Sequence, residues 1–264
     1  MSGYASLTLH QYRRLQTRAL RSERAAVFRI REGSKKMALG GQQAEFSESQ
    51  LGLIAPRAPL DIENRPGPRG VYKASAIALP DGIAESFSGC ESNPLGRSAA
   101  RHAGDSFNRA ESLLQDPATP AAVKDHAARE VLLWLAEDGI VFPPPPPKGL
   151  EDRLRAMISA DPAAGWKADQ AAATLALSPA TLRRRLAGEG VSFSEVLGDV
   201  RMIHALTLLQ ATSFPIARVA EECGYASPSR FAARFRARFG CAPAAIRAPA
   251  IERTGTEVER SGTA

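Results

Sequence analysis

The side chains with most chemistry to offer are arginines carried on two matched segments. Ser178-Pro179-Ala180-Thr181-Leu182-Arg183-Arg184-Arg185-Leu186 recurs as Ser227-Pro228-Ser229-Arg230-Phe231-Ala232-Ala233-Arg234-Phe235. A guanidinium presents paired planar donors that match guanine O6 and N7, or two phosphate oxygens. In each segment serine is placed to cap a helix and proline to fill its first position. Leu182 and Leu186 stand four residues apart, as do Phe231 and Phe235, so each pair makes one buried stripe. A period of 3.6 then turns Ala180, Arg183, Arg184 and Ala187 outward in the first copy. It turns Ser229, Arg230 and Ala233 outward in the second, with Arg234 at the margin. Arg185 and Arg234 fall in register beside the stripes and are expected to bond acids or carbonyls within the domain. A duplicated helix-turn-helix with arginines on both second helices is a device for reading double-stranded DNA. A row of arginines alone is commonly a solvated face; the repeated cap, stripe and preceding small helix weigh against that here.

The elements that must position these helices are legible around them. Lys167 to Leu175 is rich in alanine and ends just before Ser178. Phe193 to Gln210 is long, with Phe193, Val196, Val200, Ile203 and Leu206 on one stripe. Pro215 opens a further helix carrying Ile216, Val219 and Ala220. Gly224 is placed to end it and Gly240 to end the next, since glycine adopts the left-handed conformation that such turns need. Leu150 to Ser159 is amphipathic through Leu150, Leu154 and Ile158. Everything downstream of residue 150 is therefore expected to be helical.

Upstream the pattern differs. Pro143 to Pro147 are five consecutive prolines, which enter neither a helix interior nor a central strand. They read as a stiff spacer, and 143–149 as a linker. Ala26 to Leu79 reads as short strands separated by Gly33, Gly40-Gly41, Pro56, Pro59 and Asn64-Arg65-Pro66-Gly67-Pro68, the spacing of a small barrel or jelly roll. Phe107 to Gln115 and Ala121 to Glu137 read as helices, the second with Val131, Leu132 and Leu135 on a stripe that suits either its own barrel or a second subunit. The expected class is α+β: residues 1–142 as a small barrel followed by helices, 150–249 as an all-α domain, and 250–264 as a disordered tail.

The 264 residues carry a formal net charge of +6 and are 44% hydrophobic, enough for two folded domains. Residues 178–250 hold ten arginines, no lysine and five acids, a net +5, so nearly all the excess sits on the helix pairs. That placement favours a polyanion partner. Cys90, Cys223 and Cys241 form no CxxC and are read as reduced thiols of a cytoplasmic protein. The four histidines lack metal-ligand spacing. No apolar run is long enough for a membrane span, and no signal peptide is evident. Nothing calls for catalytic residues, a metal or a cofactor.

The segment from Leu150 to Pro249 resembles the DNA-binding domain of the AraC/XylS transcription regulators. The resemblance rests on Leu177 to Leu186, Gly190-Val191-Ser192-Phe193, Val200-Arg201, Ala205-Leu206, Leu208-Leu209, Ile216 to Ala220, Cys223-Gly224-Tyr225, Ser227 to Gly240, and the closing Ala242-Pro243 with Ile246-Arg247. It implies two helix-turn-helix units joined by a long helix, docked into successive major-groove segments. Carried over, the base-reading positions are Ala180, Arg183 and Arg184 on the first helix, with Thr181 beside them. On the second they are Ser229, Arg230 and Ala233, with Arg234 adjoining. The family often has arginine where this chain has Ala233. The resemblance further implies promoter DNA and RNA polymerase as partners, activation as the usual output, and a cupin-like regulatory domain that dimerises or senses a small molecule. Arg29, Arg31, Lys35 and Lys36 are the candidate contacts to an acidic effector, as in fatty-acid-responsive members; an exposed basic strand edge is the competing reading. The alternative class is a DNA-binding enzyme such as an alkyl-transfer repair protein. That chemistry needs a cluster of four cysteines, and only Cys90 lies in the N-terminal half.

Overall fold

A computed structural model describes residues 3–80, 82–89 and 92–247. The expected tail, 250–264, and Cys90 lie outside the described residues. Eight strands come first: β1 Ala5–Gln11, β2 Leu15–Leu20, β3 Ala26–Glu32, β4 Ser34–Leu39, β5 Gln42–Phe46, β6 Leu51–Ile54, β7 Leu60–Arg65 and β8 Tyr72–Ala78. They form two antiparallel four-stranded sheets, ordered β1-β8-β3-β6 and β2-β7-β4-β5. Strand alternation decides what each sheet covers. Phe28 and Ile30 of β3 point between the sheets, where they pack with Met37, Phe46, Leu60 and Tyr72. Their neighbour Val27 points the other way, joining Leu51, Leu53 and Ile77 under the helices.

Those helices are α2, Arg101–Gln115, and α3, Ala121–Glu137, after a single helical turn α1, Ile83–Ser86. Val131, Leu132 and Leu135 of α3 are buried against Phe107, Ala110 and the first sheet, so this stripe packs on its own domain. Leu133 and Trp134 remain exposed, at 58% and 38%.

The architecture is the anticipated α+β one, with three differences of detail. The strands form two facing sheets and no closed barrel. They begin at Ala5, well before Ala26, because β1 pairs along its length with β8 and β2 with β7, partners at least forty residues away that leave little local pattern. The helix α2 begins at Arg101, before Phe107, because its first turns bury Ala103, Gly104 and Ser106, small residues that leave no apolar stripe in the sequence.

After Phe142 no helix or strand is formed until α4, Leu150–Ala160. The rest is helical: α5 Ala168–Thr174, α6 Pro179–Gly188, α7 Phe193–Ala211, α8 Ile216–Glu222, α9 Pro228–Phe239 and a closing 3-10 turn, Pro243–Ile246. Two cores result. Leu154, Ile158, Ala171, Leu182, Leu186, Val196 and Val200 make the first. Met202, Leu206, Leu209, Val219, Phe231 and Phe235 make the second. Among the described residues only α7 contributes to both, and its N-terminus is fixed by a capping box: Ser192 N–H donates to Glu195 at 2.7 Å and Glu195 N–H donates to Ser192 Oγ at 3.3 Å.

The two halves touch. Gln210 of α7 donates to Gln11 of β1 at 2.7 Å, buried. Tyr12 N–H donates to the Ile246 carbonyl at 3.1 Å, and Arg21 pairs with Glu151 of α4 at 3.3 Å.

Candidate nucleic-acid interface

Each second helix is built in the same way. The Ser178 hydroxyl accepts the Thr181 N–H at 3.2 Å and the Ser227 hydroxyl accepts the Arg230 N–H at 3.4 Å, each quenching one orphan donor of a helix start. Proline occupies the first helical position in both. The preceding helices, α5 and α8, end in matching turns. Leu177 N–H returns to the Ala172 carbonyl at 2.9 Å, and Tyr225 N–H to the Ala220 carbonyl at 2.9 Å. This closure needs a left-handed residue just before. Gly224 supplies it at φ 71°, while the first unit uses Ala176 at φ 56°.

Leu182 and Leu186 are buried on α6, and Phe231, Phe235 and Phe239 on α9. Ala180, Arg183, Arg184 and Ala187 are exposed, as are Ser229, Arg230, Ala233 and Arg234. Thr181 is half-buried, its hydroxyl accepting from Ser178 Oγ at 2.9 Å. Ser229 Oγ lies 2.8 Å from Ser227 Oγ. Arg185 and Arg234 depart from expectation. Both are exposed, and among the described residues neither makes a hydrogen bond or an ion pair. The reason is geometric: at the margin of the stripe their long stems reach past the core into solvent. The arginines that do bond internally lie elsewhere, and the sequence did not single them out for this. Arg155 pairs with Glu151 at 2.8 Å and with Asp199 at 2.9 Å. Arg238 pairs with Asp199 at 2.9 Å. Arg201 donates to the Pro162 and Ala164 carbonyls at 3.0 and 2.8 Å.

The four effector candidates do not converge. They lie on β3 and β4, which are inner strands of their sheets, so the basic-edge reading fails with them as a group. Arg29 donates to the Gly104 carbonyl and to Asn108. Arg31 pairs with Glu111 at 2.6 Å. Both therefore bind α2. Lys36 pairs with Glu45 at 3.5 Å, partly exposed. Lys35 alone points inward. It is 6% exposed, and its Nζ donates to Asn64 Oδ1 at 2.8 Å. It lies 5.5 Å from the ring centres of both Phe28 and Tyr72. Burial pulls its ammonium down to about 7. The Tyr72 hydroxyl beside it is buried without a partner. Together they line a cavity of about 190 Å³ that is closed on one side by Ile203 and Leu206 of α7.

Cys223 and Cys241 are free and buried. Burial pushes the Cys223 thiol up to about 12, which leaves little thiolate to act as a nucleophile. None of the described helices is long and apolar enough to cross a membrane.

Residues 171–248 match a family described as a helix-turn-helix domain, which takes in both second helices and the connector. Among the relatives that this chain resembles are the urease operon transcriptional activator of Escherichia coli, 35% identical over 91 residues, 34% of this chain and 31% of that protein; the HTH-type transcriptional regulator YdeO of E. coli strain K12, 36% identical over 91 residues, 34% and 36% of the two chains; and the HTH-type transcriptional regulator GadX of E. coli O6:H1, 34% identical over 115 residues, 44% and 40%. The match thus spans about a third of the length of these relatives. The C-terminal part of the chain is an AraC-type double helix-turn-helix domain. The fold of the whole chain is similar to that of ToxT from Vibrio cholerae O395, with a TM-score of 0.60 at 14% identity over 91% of this chain and 95% of that one. A structure of ToxT with an unsaturated fatty acid bound matches equally, with a TM-score of 0.60 at 12% identity over 92% and 94%.

Proposed function

We propose that this chain is a cytoplasmic, sequence-specific transcription regulator, an activator by the habit of its relatives, with no enzymatic activity of its own. It divides at the proline run: 1–142 regulates, 143–149 links, and 150–249 reads promoter DNA. The observation that carries the reading is the pairing of two helices with the same serine cap, the same proline start and outward arginines, mounted on one connector. In that role Arg183, Arg184 and Arg230 read base edges. Ala180 and Ala233 permit close approach or touch a thymine methyl, and Thr181, Ser229 and Arg234 add polar or phosphate contacts. Because α6 and α9 differ in sequence, one protomer reads an asymmetric site. RNA polymerase is the downstream partner. The exposed Leu133 and Trp134 edge of α3 serves a homodimer.

The regulatory half takes a small acidic molecule at Lys35, the member of the candidate set that faces a cavity; Arg29, Arg31 and Lys36 fall out of that role. A buried ammonium with one hydrogen bond, beside an unpartnered phenol, suits a carboxylate. The fatty acid held by ToxT is a ligand of that chemical kind.

The test is binding to a duplex enriched by the chain from a random pool. Arg183→Ala and Arg184→Ala should each weaken it by about 1–3 kcal/mol relative to random DNA. Log K should fall with log salt by about 0.9 per phosphate contacted. A footprint unchanged by both substitutions refutes the base-reading assignment.

A further inference from the structure

Asp199 stands where the two helix-turn-helix cores meet. On α7, Val196 and Val200 belong to the first core and Met202 onward to the second. Each oxygen of its carboxylate is taken by a different unit. Oδ2 accepts from Arg155 Nη1 of α4 at 2.9 Å, and Oδ1 accepts from Arg238 Nε of α9 at 2.9 Å. The side chains of Arg155, Asp199 and Arg238 are 8%, 19% and 24% exposed, so water competes poorly for these bonds. The outer ends are held as well. Glu151 accepts from Arg155 Nε at 2.8 Å, and Arg238 Nη2 donates to the Arg18 carbonyl of the N-terminal domain at 3.0 Å. Arg201, two residues on and so about 200° round the helix, braces the opposite face. Its guanidinium lies 5.7 Å from the Tyr225 ring centre and bonds the turn after α4.

We propose that Asp199 is a positioning residue that sets the angle between α6 and α9, and through it the spacing of the two DNA segments the chain accepts. This rests on the DNA-reading role proposed above. A single helix joining two small cores is a compliant hinge; a carboxylate bonded on both oxygens by fixed guanidinium groups stiffens it, because charge-assisted bonds hold direction as well as distance. The stiffness matters because DNA is steeply phased. One base pair of extra spacing moves the second site about 3.4 Å along the axis and rotates it by about 35°. A braced pair of helices cannot follow that rotation, and an unbraced pair can.

The experiment uses the full chain and a duplex that the wild-type chain enriches from a random-sequence pool. Derivatives carry one base pair inserted or removed between the two protected segments. The wild-type chain should prefer the original spacing at least tenfold. Asp199→Ala should bind the original duplex about tenfold more weakly and hold its preference among spacings to threefold or less. Arg183→Ala, which removes a base contact, should weaken binding at every spacing yet keep the preference. Where Asp199→Ala fails to fold, Asp199→Asn, of the same shape but uncharged, takes its place and should lose the preference in part. Retention of the full tenfold preference by a folded variant overturns the proposal, as does a wild-type chain indifferent to spacing. Enrichment of no duplex at all would instead sink the DNA-reading role, and this inference with it.

Discussion

Lys35 shows how little residue type says about role. Four basic residues on consecutive strands are equivalent by type, and the two sheets assign them to three environments. One face of β3 sends Arg29 and Arg31 onto α2, and β4 sends Lys36 to Glu45 at the surface and Lys35 inward. The inward one bears a cost. Its folded pKa, about 7, lies below the ordinary lysine value. The unfolded chain therefore binds the extra proton between about pH 7 and 10, and stability should rise with pH across that window. Lys35→Met should flatten the rise, as followed by urea unfolding at several pH values. A profile unaltered by the substitution would show that Lys35 is not buried as described. Arg183, Arg184 and Arg230 stand at the other extreme: their outward placement was readable from Leu182, Leu186, Phe231 and Phe235 alone, because a buried stripe fixes the opposite face of a helix, whereas Arg185 and Arg234 at the margins, expected to bond internally, are exposed.

Among the elements, the two helix-turn-helix units differ at the turn that joins their helices. Gly224 and Ala176 occupy the same left-handed position. An alanine held there costs about 1–2 kcal/mol through its Cβ, partly offset by the smaller entropy that alanine loses on folding. Ala176→Gly should thus stabilise the chain by about 0.5 kcal/mol, visible as a higher denaturant midpoint at unchanged slope. A loss of stability would mean that the turn is not strained. The serine caps, the proline starts and the connector Phe193–Ala211 were all readable from sequence, since caps and stripes are local signals. The start of α2 at Arg101 and the strands before Ala26 were not. The first turns of α2 pack through alanine, glycine and serine, and β1 and β2 bury Gln11, Leu15 and Thr17 by pairing with β8 and β7; such patterns are mute until a partner surface is present.

Across the whole molecule, the loop between β2 and β3 wedges Glu23 between the domains. It shares a cleft with Arg21, Arg155 and His204, and feels Arg57, Asp152 and Glu151 as well. Burial raises its carboxyl to about 7, ahead of every charge around it. The docked form then holds a proton that the separated or unfolded form releases, so docking should be strongest below about pH 4.5 and weaken as pH rises toward 7. His204, whose imidazole is pushed down by burial, opposes this over the acid range by favouring separation when protonated. Glu23→Gln should remove this weakening, measured as protease sensitivity of the 143–149 segment between about pH 4 and 8. Equal pH dependence in wild type and variant would place the proton elsewhere.

The amino-acid sequence alone declared a duplicated helix-turn-helix, because helix caps, apolar stripes and exposed arginines are set by residues within a few positions of one another. It also declared a change from strands to helices ahead of the proline run. Folding alone decided which lysine faces a cavity, which arginines meet across the connector on Asp199, and how the β-rich half leans on α7. Those outcomes depend on residues far apart in the chain, such as Gln11 and Gln210 or Arg155 and Arg238, and contacts at that separation leave no periodicity to read.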